Sequence, residues 1–468
     1  MSELQKGWIP IKLGEVAELK YGKALPAASR DGGEFPVYGS NGIVGHHSTW
    51  LTPAPTIVVG RKGSVGEVCF SDKNCSPIDT TYYIDSFDFF EPKFCFYLLK
   101  TLRLGDLNKS TAIPGLNRQD AYDLEISLPP LAEQTRIAAK LDELLAQVDT
   151  LKARIDGIPA LLKRFRQSVL AAAVSGRLTE EWREAHTSAK TGADVIRNDQ
   201  LAKTALLERQ PELKKKKSSI ESDIDESYLF SLPEGWSFTT WGKISEWITY
   251  GFTRPMPKSD AGVKLLTAKD VQRFELELTS CGWTTTEAFE ALSDKDKPAK
   301  GDLLITKDGS IGRAALVHTD EAFCINQSVA VCWLRSTTMN KRYLELLSNS
   351  NFTQRFVKDK AQGMAIQHLS IIDFAKCPVP VPTNKEQDEI VRLAEQLFAF
   401  ADQLEARLKA AQARIDRLTQ SILAKAFRGE LVPQDPNDEP ASVLLERIKA
   451  QRAAAPKAKR GRRTATLG

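Results

Sequence analysis

The chain has 468 residues, of which 42% are hydrophobic and 26% are charged, and its formal net charge is +4. This composition is typical of globular proteins, and the length favours two or three domains over one. No run of about 18 apolar residues is present, so we expect no membrane span, and the N-terminus lacks the regions of a signal peptide, which favours the cytoplasm. The seven cysteines form no CxxC pair, so neither a disulfide framework nor a metal site is predicted.

The chain contains an internal repeat. The stretch LQKGWIPIKLGEV at residues 4–16 recurs as LPEGWSFTTWGKI at residues 232–244, at an offset of 228. Residues 116–178 match residues 369–431 without a gap, at a constant offset of 253. The offset grows within the first part of each repeat and is constant in the second part. We therefore expect loops of variable length in the first part and a rigid element in the second part.

The first part of each repeat has the pattern of a mixed globular domain. Short apolar runs bounded by Gly, Pro or Asn, such as PTIVVG, GDLLIT and SVAVCWLR, predict strands. The segments PKFCFYLLKTL and NKRYLELLSNSNFTQRF predict helices between them. The connection between the repeats is rich in Lys, Glu, Ser and Asp, and its segment ADVIRNDQLAKTALLERQ predicts a further helix. The sequence therefore predicts α+β domains joined by a partly helical linker.

The second part of each repeat predicts a long amphipathic helix. PLAEQTRIAAKLDELLAQVD (130–149) aligns with TNKEQDEIVRLAEQLFAFAD (383–402). In the second copy, apolar residues alternate spacings of four and three over about 40 residues, which predicts a coiled-coil helix about 60 Å long. Pro159 is expected to end or kink the helix of the first copy. The predicted apolar row, called the seam below, contains Ile137, Leu141, Leu144, Val148, Leu151, Ile155, Ile390, Leu397, Leu404, Leu408, Ile415, Leu418 and Ile422.

A seam of this length needs a partner, because so many exposed apolar side chains are unfavourable in water. We expect the two helices to pair antiparallel and to hold the two globular domains at opposite ends. Such a pair gives one chain an approximate two-fold symmetry. The alternative is a dimeric or trimeric coiled coil between separate chains.

The helical segments also carry a family resemblance. PLAEQTRIAAKLDELLAQVD and LKRFRQSVLAAAVSGRLTEEWR resemble the central conserved region of the specificity subunits of Type I restriction–modification enzymes. QSILAKAFRGEL resembles the C-terminal conserved region of these subunits, and LPEGW looks like the opening of their second target-recognition domain. The resemblance covers the whole architecture of the chain, and its motifs are specific in the two helical regions.

The resemblance implies an α+β fold with a pseudo-two-fold internal repeat, in which two mixed target-recognition domains are held apart by a pair of long antiparallel coiled-coil helices. The expected divisions are a first target-recognition domain (1–130), a central conserved helical region (131–178), a partly helical linker (179–231), a second target-recognition domain (232–382), a C-terminal conserved helix (383–432), and a tail (433–468) that is partly helical and then basic and disordered.

The resemblance further implies a sequence-specific DNA-binding subunit that does no chemistry. Each recognition domain would read one half of a bipartite, asymmetric site in double-stranded DNA, and the helices would set the spacer and dock two modification (methyltransferase) subunits. Restriction and translocase subunits would join that assembly. We expect no cofactor on this chain, while the other subunits of the complex would need S-adenosylmethionine, ATP and Mg. Half-sites about 34 Å apart, one turn of DNA, suit domains separated by such a rod.

Two other classes of function are compatible with a chain of this length. An enzyme is not predicted, because the chain lacks the Gly-rich cofactor loop and the Asn-Pro-Pro-aromatic motif of a methyltransferase, and it has no GxxxxGK[ST] loop. The remaining alternative is a coiled-coil scaffold or adaptor that binds proteins without reading DNA. Methylation of a gapped two-part sequence by the chain with its methyltransferase partner would distinguish the two.

The matched loops GRKGSVG (60–66) and TKDGSIG (306–312) are candidates for DNA contact. Arg61 or Lys62 is expected to pair with a guanine edge or a phosphate, and Lys307 and Asp308 are expected to act similarly or to accept from cytosine. The hydroxyls of Ser64 and Ser310 are candidate phosphate ligands. The alternative is a glycine-tightened hairpin turn with solvated charges, and a loop shared by both repeats is a poor place to encode two specificities.

Base reading is expected where the repeats differ. The candidate loops are GSNGIVGHHSTW (39–50) and GFTRPMPKSD (251–260), with Asn41, His46, His47, Thr253 and Arg254 as candidate contacts. His46 and His47 are not predicted to bind metal, because adjacent residues in an extended segment point in opposite directions. In AQGMAIQHLS (361–370), Gln362 and Gln367 either reach adenine or shape a turn. The basic stretch PKAKRGRR (456–463) either is a solvated tail or grips phosphates.

Overall fold

The structure is a computed structural model of the chain, and it describes residues 5–107, 115–186, 188–216, 223–363 and 367–454. The chain divides into two compact units, residues 1–156 with 409–468 and residues 157–408. Each unit therefore combines one globular domain with helices from both repeats, and the two globular domains are called the first and second recognition domains below, after the expectation from the sequence. In the described part of the chain, helices with the length and hydropathy of a membrane span are absent. The basic stretch 456–463 lies outside the described residues.

The first recognition domain begins the chain. Its strands are β1 (Ile9–Lys12), β2 (Lys20–Tyr21), β3 (Phe35–Gly39), β4 (Gly42–His47), β5 (Thr56–Gly60), β6 (Val68–Ser71), β7 (Ser76–Pro77), β8 (Thr81–Ile84) and β9 (Glu125–Leu128). Its helices are α1 (Leu13–Val16), α2 (Pro92–Thr101) and α3 (Arg118–Tyr122). The strands form a four-stranded sheet in the order β2-β8-β5-β6, a three-stranded sheet in the order β4-β3-β7, and the pair β1-β9.

A run of helices follows the first domain: α4 (Leu131–Asp156), α5 (Ile158–Val174), α6 (Glu180–Ala185), α7 (Gly192–Arg209) and α8 (Pro211–Lys216). The predicted break in the first long helix is confirmed, because α4 ends at Asp156 and Pro159 lies in the first turn of α5. The helix predicted in the linker is also confirmed as α7. Thr191 caps its N-terminus in a capping box with Asp194.

The second recognition domain repeats the first. Its strands are β10 (Ser237–Thr240), β11 (Trp247–Tyr250), β12 (Val263–Leu266), β13 (Gly282–Thr284), β14 (Leu303–Thr306), β15 (Ala314–Leu316), β16 (Phe323–Ile325), β17 (Val329–Trp333) and β18 (Pro378–Val381). Its helices are α9 (Trp241–Ile244), α10 (Thr286–Glu290), α11 (Lys341–Asn349), α12 (Asn351–Asp359) and α13 (Ile371–Ala375). The uninterrupted helix α14 (Asn384–Phe427) and then α15 (Ala441–Ala454) complete the described elements.

The two recognition domains have the same sheet topology. The sheets of the second domain are β11-β17-β14-β15, β13-β12-β16 and β10-β18, and each has the strand order of its counterpart in the first domain. The pairs β3–β7 and β12–β16 are both parallel. The difference lies in a loop: Ser40 and Asn41 alone connect β3 to β4, whereas residues 267–281 connect β12 to β13. Such insertions in loops explain why the repeat offset grows in this part of the sequence.

Buried Trp–Glu pairs attach each recognition domain to the long helix that follows it. Trp8 Nε1 donates to Glu133 Oε2 at 2.9 Å, and Trp236 Nε1 donates to Glu386 Oε2 at 3.0 Å. Both carboxylates are buried, and burial raises the pKa of Glu133. Each tryptophan belongs to a repeated Gly-Trp pair, called the GW motif, and each glutamate to a repeated Glu-Gln pair, called the EQ motif. A buried carboxylate is tolerated only when it is hydrogen-bonded, so the tryptophan and the glutamate act as one structural unit in each repeat.

The glutamine of each EQ motif closes the same junction. The Gln134 side-chain amide donates to the carbonyls of Phe89 and Pro129 and accepts from the backbone N–H of Glu91. In the second repeat, Gln387 donates to the carbonyl of Pro382 and accepts from the N–H of Asn340. These hydrogen bonds satisfy backbone groups where the strand ends and the helix begins, which explains the repetition of the motif.

In the first unit, α4 packs antiparallel to the 409–427 part of α14. Glu133 Oε1 lies 3.4 Å from Gln434 Nε2, and Lys152 Nζ lies 2.8 Å from Asp416 Oδ1. As the residue number increases along α4, the residue number of its contact partner decreases, so the two segments are antiparallel. The seam residues Leu141, Val148, Ile415 and Ile422 share one hydrophobic core, whereas Leu151 and Leu418 are 43% and 47% exposed.

In the second unit, α5 packs in the same way against the 384–408 part of α14. The Arg166 guanidinium lies 2.5 Å from Asp402 and 3.0 Å from Glu405, while Thr179 Oγ1 donates to Glu386 at 2.8 Å. The order of these contacts is again antiparallel, so the predicted antiparallel pairing is confirmed within each unit. Leu397 packs at the edge of the core that contains the buried Ile390.

The segments that follow the two long helices also occupy matching places. In the second unit, the N–H at the start of α7, on Gly192, donates to the carbonyl of Gly235 at 2.7 Å. In the first unit, the N–H at the start of α15, on Ala441, donates to the carbonyl of Gly7 at 3.1 Å. Gly7 and Gly235 belong to the repeated GW motifs, so linker and tail close their units by the same contact.

Candidate nucleic-acid interface

The loops GRKGSVG and TKDGSIG are glycine-tightened hairpin turns, between β5 and β6 and between β14 and β15. The N–H of Gly66 donates to the carbonyl of Gly60 at 2.9 Å, and the N–H of Gly312 donates to that of Thr306 at 2.8 Å. In both loops the third and sixth residues after the strand have φ between 76° and 81°, a conformation that glycine adopts without strain. The two loops therefore share one backbone design.

A second pair of matching bonds fixes the cationic residue of each loop. The carbonyl of Arg61 accepts from the N–H of Leu116 at 2.9 Å, and the carbonyl of Lys307 accepts from that of Leu369 at 2.8 Å. Leu116 and Leu369 are also aligned in the repeat. Since the scaffold is the same in both domains, differences between their binding properties must come from the side chains on it and from the loops around it.

In the first domain, three predicted residues lie together beside Asn41. A Cβ atom built on Gly60 would lie 2.9 Å from the carbonyl oxygen of Ser40, so the β3–β4 turn that carries Asn41 packs against the loop of Arg61, Lys62 and Ser64. Lys62 and Asn41 are exposed. The two turns that carry these four polar residues are therefore adjacent, and the region around them is called the polar surface below.

His46 and His47 lie away from that surface. They are at the far end of β4, five residues from the turn, or about 16 Å along the strand. His47 Nδ1 lies 3.1 Å from Asp31 Oδ1, and the hydroxyl of Ser48 with backbone N–H groups lowers the pKa of Asp31 to about 2. Across the described residues, no three His, Cys, Asp or Glu side chains converge as metal ligands would.

A cation–aromatic cluster adjoins the surface in the first domain, and it joins the predicted Arg61 to three residues that were not predicted, Tyr21, Tyr82 and Arg118. The guanidinium carbons of Arg61 and Arg118 each lie 5.1 Å from the centroid of the Tyr21 ring, and the Tyr82 ring lies 5.0 Å from it. Tyr21 is 51% exposed. Burial raises the pKa of Tyr82 to about 12, so its hydroxyl stays neutral. A Tyr-Gly pair recurs in the two repeats, at residues 21–22 and 250–251, and is a sequence signal that could have found the tyrosine of this cluster.

The glycine of that pair explains the position of the tyrosine. A Cβ atom on Gly22 would lie 2.0 Å from the carbonyl oxygen of Ile78, and one on Gly251 would lie 1.9 Å from that of Ile325. Only glycine permits such a close approach of the two sheets. The strand end that carries Tyr21 or Tyr250 is thereby fixed next to the hairpin loop in both domains.

In the second domain, the corresponding cluster contains charges of both signs. Lys307 Nζ lies 4.9 Å from the centroid of Tyr250 and 3.3 Å from Asp308 Oδ1. Asp308 Oδ1 also lies 2.5 Å from His368 Nδ1. Lys307 is buried. The predicted lysine and aspartate therefore pair with each other and with a histidine that was not predicted.

The other predicted residues of this region surround the same cluster. The N–H and carbonyl of Gln362 bond to the carbonyl and N–H of His368, and the carbonyl of Gln367 accepts from the N–H of Gly309. Both glutamine side chains are exposed. The carbonyl of Ser310 accepts from the hydroxyl of Thr306 at 2.6 Å. Residues 361–363 and 367–370 thus lie against each other and against the hairpin loop, and residues 364–366 lie outside the described part.

Thr253 and Arg254 lie in a separate cleft of about 950 Å³ in the second domain. The cleft also contains Lys258, Lys269 and the exposed amide Gln327. None of these three residues is among those predicted from the sequence. Lys258 lies in a candidate loop, and Lys269 lies in the insertion between β12 and β13. The segments that differ between the repeats were therefore the signal that could have found these two lysines.

In the first domain, the loop corresponding to residues 251–262 packs onto its own sheet. Arg30 Nη1 donates to the carbonyl of Val44 at 2.9 Å, and Arg30 Nη2 donates to that of Leu25 at 3.0 Å. This arginine fastens residues 22–34 to β4. Ile43 and Val44 on the same strand are exposed apolar residues. The two candidate loops selected for base reading, 39–50 and 251–260, are therefore not counterparts in the fold.

A family model described as "Type I restriction modification DNA specificity domain" matches residues 5–160 and 243–411. The chain belongs to this family. As a Type I specificity subunit, it provides the DNA-sequence specificity of a restriction–modification system, and the two matched regions correspond to two target-recognition domains. The mixed fold with a repeated domain and long helices, expected from the sequence, is confirmed.

Named relatives support the assignment. The chain is 36% identical to the Type I restriction enzyme EcoBI specificity subunit of Escherichia coli over 74% of its own length and 68% of the relative's. It is 29% identical to the EcoDI specificity subunit of the same species over 97% of both chains. Subunits of this family work with DNA and with the other subunits of their complexes.

Two solved structures share the fold. A chain from a study titled "Structural basis underlying complex assembly and conformational transition of the type I R-M system" has a TM-score of 0.59 at 18% identity, covering 92% of this chain and 100% of that one. The crystal structure of the HsdS subunit from Thermoanaerobacter tengcongensis has a TM-score of 0.50 at 20% identity, covering 92% and 98%.

Proposed function

We propose that the specificity subunit reads a bipartite, asymmetric DNA target, with one recognition domain on each half-site. The observation that carries this proposal is the contrast between the two domains, which share sheet topology and hairpin scaffold but differ in the loop after β3 or β12. A common scaffold places both domains on the duplex in the same manner, while different loops present different side chains to the base edges. Two unlike half-sites follow.

The residues proposed to contact DNA fall into one group for each half-site. In the first domain they are Asn41, Arg61, Lys62 and Ser64, which lie together around the hairpin loop. In the second domain they are Thr253 and Arg254 in the cleft, with Gln327 added from the structure. Asn and Gln amides suit adenine, and Arg suits guanine. His46, His47, Lys307, Asp308, Ser310, Gln362 and Gln367 remain predictions.

The proposed role is non-catalytic, with the antiparallel helices as docking surfaces for two modification (methyltransferase) subunits. Restriction and translocase subunits would join this assembly. S-adenosylmethionine, ATP and Mg would be bound by those partners and not by this chain. The proposed location of the protein is the cytoplasm, where the DNA of such a system lies.

The experiment is to purify the chain with its modification subunits and to map the methylated positions on DNA of random sequence. We expect methylation at a gapped, two-part sequence whose halves differ. The competing function, a coiled-coil scaffold that binds proteins without reading DNA, predicts methylation without a consensus or none at all. Either of those results would contradict sequence reading by this subunit.

A second experiment tests the helices. Deleting one heptad between Leu404 and Leu418 shortens α14 by about 10 Å, at 1.5 Å for each residue, while keeping the seven-residue apolar period. We expect a changed spacer length in the methylated sequence or a failure of the complex to assemble. Unchanged activity on the original spacer would contradict a role for the helices in spacing the half-sites.

A further inference from the structure

The cluster of Tyr21, Arg61 and Arg118 brings two positive charges close together. Each guanidinium carbon lies 5.1 Å from the same ring centroid, so the two are no more than about 10 Å apart. In the described part of the chain, neither guanidinium forms an ion pair with a carboxylate. Like charges at this separation repel each other, and the ring offsets only part of that cost. An anion between or beside them would remove it.

The donor groups of these side chains are not all engaged within the chain: among the described residues, Arg61 Nε is buried and has no hydrogen-bond partner. A guanidinium stacked on an aromatic face still has its N–H groups directed outward in the ring plane, where they donate to planar or tetrahedral oxyanions. Arg118 Nη1 donates one hydrogen bond to the carbonyl of Leu19, at 3.4 Å. Lys62, the next residue after Arg61, is exposed and adds a third positive charge to the same surface.

The second domain shows what the same scaffold looks like when the charge is balanced. The ring of Tyr250 is contacted by Lys307 and Lys295, at 4.9 and 5.5 Å from its centroid. Each lysine is paired with the next residue in the chain, Asp308 at 3.3 Å and Asp296 at 3.0 Å. The position of Lys62 is thus occupied by an aspartate in the second repeat. Among the described residues, the cations around Tyr21 lack the carboxylate partners that the cations around Tyr250 have.

We propose that Tyr21, Arg61 and Arg118 form a phosphate-binding site, which holds the DNA backbone against the first domain without reading its sequence. This inference rests on the proposed function and refines it, because Arg61 becomes a positioning residue that contacts phosphate and does not read guanine. The site is built on the hairpin scaffold that both domains share, whereas sequence discrimination resides in the loops that differ. Phosphate contacts fix register and orientation and carry no base information.

The test compares DNA affinities of the complex with its modification subunits between 50 and 200 mM salt, using a cognate duplex and an unrelated one. In the variant R61Q/R118Q, we expect the slope of log K against log salt to fall in magnitude by about 1.8, since each phosphate contact contributes about 0.9. At 0.15 M salt this corresponds to binding about 30-fold weaker on both duplexes. The methylated sequence should not change.

Two further variants keep the result interpretable. R61K/R118K retains both charges and should restore most of the slope, which a general loss of folding would not allow. K300Q/R355Q removes two cations of the second domain that are paired with Asp320 and Asp359, and its slope should match the wild type. The inference is overturned if R61Q/R118Q keeps the wild-type slope, if it relaxes one base of a half-site, or if K300Q/R355Q shows the same loss.

The wild-type arm separates this inference from the proposed function. A wild-type complex that binds no DNA with sequence preference would overturn both. A wild-type complex that methylates its two-part sequence, with no change of salt slope in R61Q/R118Q, would leave the proposed function standing and would overturn the phosphate site.

Discussion

The two recognition domains carry the same strand order and the same hairpin turn, yet they present different surfaces. In the first domain, a two-residue turn places Asn41 beside an open cationic cluster, and Arg30 fastens the neighbouring loop to β4. In the second, the inserted residues 267–281 help to form a cleft, and Asp308 balances the charge of Lys307. In the proposed function, the shared parts would hold the fold and position it on DNA, and the parts that differ would determine which sequence is read. Each prediction below tests that division.

The largest effect is expected at the glycines where the sheets approach. Gly22→Ala and Gly251→Ala each put a Cβ atom about 2 Å from a carbonyl oxygen, so the sheets must separate. We expect each to lower the free energy of unfolding by about 3 kcal/mol, measured by chemical denaturation. Gly157→Ala is the control, since a Cβ there meets open space. A large effect in only one domain would show that the scaffold is not shared.

A smaller loss is expected at the Trp–Glu pairs. Glu133→Ala leaves the buried Trp8 indole N–H without its acceptor and should cost about 2 kcal/mol. Glu386→Ala should cost more, because Glu386 also accepts from the Arg183 guanidinium at 2.5 Å. The control is Glu143→Ala, which removes an exposed partner of Lys140 and should lower the free energy of unfolding by less than about 0.5 kcal/mol. Equal losses at residues 133 and 386 would contradict the role given to Arg183.

Substitutions in the cleft should change specificity with little effect on stability. We expect Arg254→Ala or Gln327→Ala to relax one position of one half-site by about 10-fold, as a lost base contact of about 1.4 kcal/mol would do. Mapping of methylated sites measures this directly. Arg355→Ala, which removes an exposed arginine of the same domain paired with Asp359, should leave the consensus intact. Changes in both half-sites would contradict the assignment of the cleft to one of them.

The smallest effect is a pH dependence at Glu133. Burial raises its folded-state pKa above the unfolded value, so the fold favours the protonated form. Its favourable contribution is fully present below the unfolded pKa, about 4.3, and is lost as the pH rises through the folded pKa. As the pH rises through the folded-state pKa of Glu133, we therefore expect the free energy of unfolding of the wild type to fall relative to that of Glu133→Gln. A difference in the free energy of unfolding that does not change with pH would contradict this prediction.

Local patterns in the sequence predicted much of this fold. The strands β5, β14 and β17, the helices α2, α7, α11 and α12, the helix break associated with Pro159 and the antiparallel pairing all followed from periodicity, glycine or proline positions, and the repeat. The repeat could not show that Trp8 bonds Glu133, since that contact joins residues 125 apart in sequence. Helical periodicity also did not indicate that Leu151 and Leu418 are exposed.

The candidate site was predicted less completely, for a physical reason. Arg61 and Arg254 lie in predicted loops, but Arg118 and Tyr82 meet Arg61 through sheet pairing and through the backbone hydrogen bond between Leu116 and Arg61. Similarly, Gln327 reaches the cleft of Arg254 because β12 and β16 are parallel neighbours. Long-range strand pairing decides which polar residues meet, and a single sequence carries little signal for it.

The most direct test of the central claim is to replace residues 1–130 with the corresponding domain of a relative of different specificity and to map methylated positions. The division of labour between the two domains predicts that one half of the target changes, while the other half remains as in the wild type. A target in which both halves change, or neither does, would contradict it.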